Sequence, residues 1–320
     1  MIVHAEGLRR EFVVGKRGAR RRLAAVAGID LRIEPGETVG FLGPNGAGKS
    51  TTIKMLTGIL VPTAGRLTVC GLDPVSRRRE LARRIGVVFG QRSALWWDLP
   101  LADSFDLLRT IHRVPMPVHR ARLARCAEVL GLAEFLATPV RQLSLGQRMR
   151  GEVTAALLHA PPLLVLDEPT VGLDLVSKER LRAFLHEVNT EDGVTVLLTT
   201  HDLPDVERLC RRVVVIDQGR VVADDELEAL RGRFAGPREL IVDLAAPAPQ
   251  LDGAAGLPGV TGSRVEADGM RRRYTFGPET SAASLVAEVA RRAEIRDIAV
   301  QEPSIEDLVR TLYAGARPGG

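Results

Sequence analysis

Between Gly43 and Thr51 the chain reads Gly43-Pro44-Asn45-Gly46-Ala47-Gly48-Lys49-Ser50-Thr51, a run whose residue types suit the binding of a polyphosphate. Glycines let successive backbone N–H groups curl around an anion, and a helix opening at the end of the run adds the positive end of its dipole. Lys49 supplies a full charge for the outer phosphates, and the Ser50 hydroxyl is placed to ligate Mg2+. The run follows the strand-like TVGFL and precedes the helical STTIKMLTGIL, the strand, loop and helix context that a P-loop requires. A glycine-rich turn capping a helix is the plainer alternative. By chance the bare pattern arises in on the order of 1% of chains this long, and the flanks reduce that further.

A second constellation lies downstream, where the apolar run Leu163-Leu164-Val165-Leu166 ends in Asp167-Glu168. A carboxylate at the exit of a buried strand is the Walker-B arrangement, with Asp167 holding Mg2+ and its hydration shell. Glu168 suits a general base, because a glutamate beside a metal-bound triphosphate polarises the attacking water. Acidic residues also mark strand exits for no chemical reason. Beside a P-loop, the catalytic reading prevails.

These groups need a sheet to hold them. From Ile2 to about Asp225, apolar runs (IDLRI, TVGFLG, IGVVFG, LLVLD, VTVLLT, RVVVID) alternate with helical stretches, which predicts an α/β fold with a largely buried sheet. Between Gly90 and Pro162 helix signals take over, interrupted by Pro100, Pro115 and Pro117, as in an inserted helical subdomain over about 91–162. Residues 1–235 thus form a nucleotide-binding domain. After Phe234 the rhythm changes to ELIVDLA, RRRYTF, a helix from about Ala282 to Ala293, the strand IRDIAV and a last helix SIEDLVRTLY, a small C-terminal α+β domain over 236–320. A Pro-, Ala- and Gly-rich loop is expected at about 246–259. Arginines 271 to 273 alternate across a strand expected to be exposed, and carry no assigned function.

Composition narrows the class. The 320 residues, 45% of them hydrophobic, suffice for one large core and a smaller one. With 44 basic against 40 acidic residues, a formal charge of +4 gives no ground for a nucleic-acid partner. Cys70, Cys126 and Cys210 form no CxxC pair and read as reduced core thiols in a cytoplasmic protein. No apolar run approaches the ~20 residues that span a bilayer, and Met1 leads into a polar strand and not a signal peptide. Any membrane role is expected to come from a partner. The basic run Lys16 to Arg22 reads as a solvated hairpin loop, with contact to lipid headgroups as the alternative.

With Leu143-Ser144-Leu145-Gly146-Gln147 about twenty residues before the Walker-B strand, the first 235 residues resemble the nucleotide-binding subunit of ABC transporters. The resemblance implies a P-loop NTPase fold that binds and hydrolyses ATP with Mg2+. It implies a head-to-tail dimer in which Ser144, Gly146 and Gln147 of the signature motif complete a neighbour's site. Leu145 stands where the family usually has its first glycine, which puts the local backbone geometry in question. Phe12 resembles the aromatic that stacks on adenine, though it could equally be a strand-core residue. Gln91 resembles the glutamine that links the metal site to the helical subdomain, and is carried over as a metal and catalytic residue. Asp174 resembles the aspartate that communicates between the two sites, and could otherwise be a helix N-cap. His201, after VTVLLTT, resembles the switch histidine that contacts the γ-phosphate and positions the catalytic water.

Around Gln91 the stretch VVFGQRSALWWDLP, and the closing EPSIEDLVRTLY, look similar to subunits of daunorubicin-resistance-type multidrug and natural-product exporters. Such a subunit pairs with a separate integral-membrane permease at the inner face of the cell membrane. An importer subunit would also carry a C-terminal domain. The complete motif set allows a homodimer. A soluble ABC ATPase of translation would carry two cassettes, one of DNA repair would carry coiled coils or zinc cysteines, and neither pattern is present. A degenerate regulatory cassette would have lost one of Lys49, Asp167, Glu168 or His201. Adjacent Trp96 and Trp97 cannot share one buried pocket, so at least one is expected near the surface, on the region that meets the permease in the family.

Overall fold

The chain divides into two units, Met1–Leu227 and Glu228–Gly320. The computed structural model describes residues 1–15, 20–90, 93–200, 203–233, 237–251 and 257–302. In the first unit β1 (Val3–Val14), β2 (Arg21–Ile33), β3 (Thr38–Leu42), α1 (Lys49–Leu56), β4 (Ala64–Val69), α2 (Arg78–Leu81) and β5 (Ile85–Phe89) come first. Helices α3 (Leu101–His112), α4 (Met116–Leu130) and α5 (Leu145–Leu157) follow without an intervening strand among the described residues. The alternation then resumes with β6 (Leu163–Asp167), α6 (Leu175–Asp192), β7 (Thr195–Thr200), α7 (Leu203–Leu209), β8 (Arg212–Asp217) and β9 (Arg220–Glu226). Helix α8 (Leu227–Arg233) lies at the boundary between the units.

Five of these strands run parallel in the order β5-β6-β7-β3-β8, and β9 closes the sheet antiparallel to β8. Their composition explains the arrangement. Every residue of β7 is buried, as are the first four of β6, which is what a strand covered on both faces requires. In a parallel sheet all carboxyl ends lie along one edge. The loop after β3, the Asp167 end of β6 and the Thr200 end of β7 are therefore brought side by side, where such folds place their ligands. A second, antiparallel sheet of order β2-β1-β4 shares the core through residues such as Leu8, Ile29 and Leu67. Residues 16–19 of the basic run lie outside the described residues, between strands paired as far as Val14 and Arg21.

Where the helices meet the sheet, the rings of His112 and His159 stack with centroids 4.0 Å apart, and His159 Nε2 lies 3.1 Å from the Ile85 carbonyl. Burial, reinforced by His112, pushes His159 down from 6.5 to about 4. Burial lowers His112 too. The folded chain keeps His159 neutral while the unfolded chain takes up a proton, so its contribution is intact above pH 6.5 and is lost as the pH falls towards 4. At pH 5 the loss should reach about 2 kcal/mol. Thermal unfolding at pH 7 and pH 5 should therefore show a smaller acid-induced drop in His159→Gln than in the parent; equal drops would remove His159 as the cause.

The second unit is a four-stranded antiparallel sheet of order β11-β12-β10-β13, formed by β10 (Arg238–Leu244), β11 (Val260–Glu266), β12 (Arg271–Phe276) and β13 (Ile295–Gln301). Leu240, Val242, Tyr274 and Phe276 of this sheet pack with Leu285 and Val289 of α9 (Ala282–Ala290). The arginine strand departs from expectation. Lying between β11 and β10, it places Arg272 inside, where the guanidinium donates to Ala248 O at 3.0 Å, while Arg271 pairs with Asp243 and Arg273 with Glu239 and Glu266. The helix expected over SIEDLVRTLY falls outside the described residues.

Candidate nucleotide-binding and hydrolysis site

The loop leaving β3 needs glycine at two points for different reasons. At Gly43 a Cβ would come within 2.6 Å of Ile216 O. At Gly48 φ is 108°, a left-handed value, and a Cβ would lie 2.6 Å from Ala25 O. Gly48 caps α1 without any side-chain hydrogen bond, and the first turn holds no acidic residue, so no side chain competes with an anion for its N–H groups. Lys49 is only 6% exposed, and its ammonium donates to Gly43 O at 2.5 Å and Pro44 O at 3.2 Å. Burial lowers its pKa, and the charges of Glu168 and Asp167 oppose that fall.

Across the sheet, Ser50 Oγ donates to Asp167 Oδ1 at 3.4 Å, and Thr199 Oγ1 donates to the same oxygen at 2.5 Å. Backbone donors, a lysine and a serine–aspartate oxygen pair thus meet at one sheet edge. This donor set fits a polyphosphate with a hard divalent cation, which prefers oxygen ligands. Among the described residues no cluster of three or more His, Cys, Asp and Glu could hold a metal by itself. Glu168 follows with φ 55°, a left-handed value that a glutamate adopts only where its surroundings impose it. Its N–H donates to Thr199 O at 3.0 Å and Thr199 Oγ1 at 3.2 Å, which anchors the turn to β7. Gly90 N donates to the Asp167 main-chain carbonyl at 3.1 Å, so the chain leaves β5 beside the end of β6. Gln91 and His201 lie outside the described residues.

The signature segment opens α5 through a capping box. Ser144 Oγ accepts from Gln147 N at 3.1 Å, and Gln147 Oε1 accepts from Ser144 N at 2.9 Å. Leu145 is the first residue of α5, a position that makes no demand for a left-handed backbone, so the question over its geometry is answered. Its side chain instead fills the space over Gly172, where a Cβ would sit 2.5 Å from Leu145 Cδ2 and φ is 73°. At the buried Gly146 a Cβ would lie 3.0 Å from Ser177 Oγ. Asp174 is the N-cap of α6, accepting from Ser177 N at 2.9 Å and Ser177 Oγ at 2.7 Å. Phe12 lies half-buried in β1, with the Arg10 guanidinium 4.7 Å from its ring centroid. Asn45 and Gly46 are exposed on the loop, Ser50 is exposed in the first turn of α1, and Thr51 is half-buried in the same helix.

Two polar residues escaped the sequence reading: Thr199, which bonds Asp167, and a buried glutamate in α5. Buried Glu152 of α5 accepts from Ser93 Oγ and, at 3.0 Å, from Ala94 N, and so holds the segment that displays Trp96 and Trp97. Only its place on the otherwise apolar face of α5 could have signalled it. Trp96 and Trp97 are 37% and 52% exposed, with the Arg148 guanidinium 5.7 Å from the Trp97 ring.

Residues 26–171, which take in the glycine loop, the signature helix and the Asp167 strand end, match the ABC transporter family model. Over 308 residues the chain is 34% identical to the daunorubicin resistance ATP-binding protein DrrA3 of Streptomyces coeruleorubidus, covering 94% of this chain and 95% of that protein. The chain belongs to the ABC transporter ATP-binding family. This ABC subunit is also 39% identical to the Nod factor export ATP-binding protein I of Burkholderia pseudomallei over 203 residues, or 62% of this chain and 65% of that one. Among solved structures, the dimeric ATP-binding cassette MJ0796 bound to ADP and Pi is 28% identical, with a TM-score of 0.63 over 70% of this chain and 98% of that one. The protein is thus an ABC-type ATP-binding subunit, an ATPase coupled to transport. No helix among the described residues is long and apolar enough to cross a membrane.

Proposed function

We propose that this ABC subunit powers the export of drugs or other small molecules through a separate permease, as a homodimer at the cytoplasmic face of the membrane. The similarity to resistance and export ATP-binding proteins supports the direction of transport. The observation that carries the hydrolytic reading is the meeting of Ser50, Thr199 and Asp167 beside the glycine loop. In this reading the loop N–H groups and Lys49 bind the phosphates, and Phe12 offers a ring to the adenine. Ser50, Asp167 and Gln91 would hold Mg2+, which when bound neutralises charge on the outer phosphates. Glu168 takes the proton of the attacking water, and His201 positions that water. Ser144, Gly146 and Gln147 face the nucleotide of the opposite subunit, and Asp174 lies on the path between the two sites.

Trp96 and Trp97 serve in this reading as anchors for the permease, since large exposed aromatics dominate interface energetics. Trp97→Ala and Trp96→Ala should leave the thermal stability of the chain within about 2 °C, while each lowers copurification of the permease by roughly tenfold. Lowered stability with unchanged permease binding in the folded fraction would defeat the docking assignment.

A further inference from the structure

Asp205 in α7 is fully buried, and both of its carboxylate oxygens are engaged by other elements. Oδ1 accepts from Arg182 Nε of α6 at 2.7 Å and also from Arg182 Nη2, while Oδ2 accepts from the hydroxyl of Thr170. Arg182 and Thr170 are themselves buried. Thr170 stands two residues after Glu168, in the loop that joins β6 to α6. Within that loop Val171 N donates to Glu168 O at 3.4 Å and Leu173 N to Thr170 O at 3.2 Å. The Thr170 hydroxyl therefore joins the loop of Glu168 to a buried ion pair that locks α6 to α7.

Desolvation makes a buried ion pair a weak source of net stability, whereas its directional hydrogen bonds fix geometry sharply. Glu168 sits in a left-handed conformation that its surroundings must impose, and the Thr170 bond is a buried side-chain restraint two residues downstream of it. We infer that Asp205, held by Arg182 and acting through Thr170, is a positioning residue for ATP hydrolysis that sets where the Glu168 carboxylate stands. The inference rests on the catalytic assignment of Glu168.

Thr170→Val keeps the shape of the side chain and removes only the hydroxyl, which makes it the main test; Asp205→Asn strips charge from beside a buried arginine and can fail by unfolding. In the full chain, Thr170→Val should lower kcat for ATP hydrolysis by about tenfold with KM within about twofold, the pattern of an interaction felt mainly in the transition state. Thr170→Ser should restore most of the rate. In a Glu168→Gln background, Thr170→Val should change the residual rate by less than about twofold, because its effect passes through the missing carboxylate. The inference fails if Thr170→Val retains kcat within twofold of the parent, if serine does not restore it, or if the same fold-loss recurs without Glu168. A Glu168→Gln chain that hydrolyses ATP at the parental rate would sink the underlying catalytic assignment instead.

Discussion

Glu168→Gln should leave ATP binding within a few-fold of the parent and lower the steady-state ATPase rate by at least about 100-fold, the usual weight of a general base. Lys49, the loop amides, Ser50 and Asp167 are untouched by the change, so the nucleotide contacts survive. Glutamine is nearly isosteric with glutamate and can keep the left-handed backbone at this position, with its N–H still bonded to Thr199. What is lost is a carboxylate able to accept a proton. Because the dimer then cannot discharge its nucleotide, size-exclusion chromatography in ATP should show a larger dimeric fraction than the parent gives. An ATPase rate within a few-fold of the parent would remove Glu168 from the catalytic role.

Lys49→Ala should fail one step earlier, at binding. The ammonium is buried and bonded to the Gly43 and Pro44 carbonyls, so its loss removes both a phosphate partner and a brace of the loop itself. Hydrogen bonds to a charged group contribute about 1.5–3 kcal/mol, which corresponds to a fall in ATP affinity of roughly 10- to 150-fold. The two carboxylates whose charge acts on Lys49 would lose their counter-charge and repel the triphosphate more strongly, which adds to the fall. Titration with a fluorescent ATP analogue measures it directly. Unchanged affinity would mean that Lys49 only braces the loop.

Much of this was legible because the sequence signals are local. Strands β6 and β7 announce themselves as unbroken apolar runs, and the glycine loop is contiguous from Gly43 to Thr51. Their convergence follows from parallel strands placing all carboxyl ends together. What stayed hidden is polar pairing between residues far apart in the chain. Neither Thr170 with Asp205 nor Ser93 with Glu152 carries a spacing rule, since each pair is joined only by where a loop meets a helix in the folded chain. Strand β11 escaped because Gly262 and Ser263 interrupt its apolar alternation. Arg272 misled for the opposite reason: its residue type points outward, but a central strand gives every second residue to the core.

The contact of Leu145 with Gly172 bears on how this subunit could be re-engineered. The leucine at 145 lies over Gly172, whose φ of 73° is left-handed, so a side chain at 172 requires both a turn of that leucine and a strained backbone. Grafting a signature segment with glycine at 145 would open a hollow above Gly172, and grafting a 168–174 loop with a side chain at 172 would push the tip of Leu145 aside and strain a left-handed backbone. For chimera building, the two loops are a single exchangeable module despite their separation along the chain.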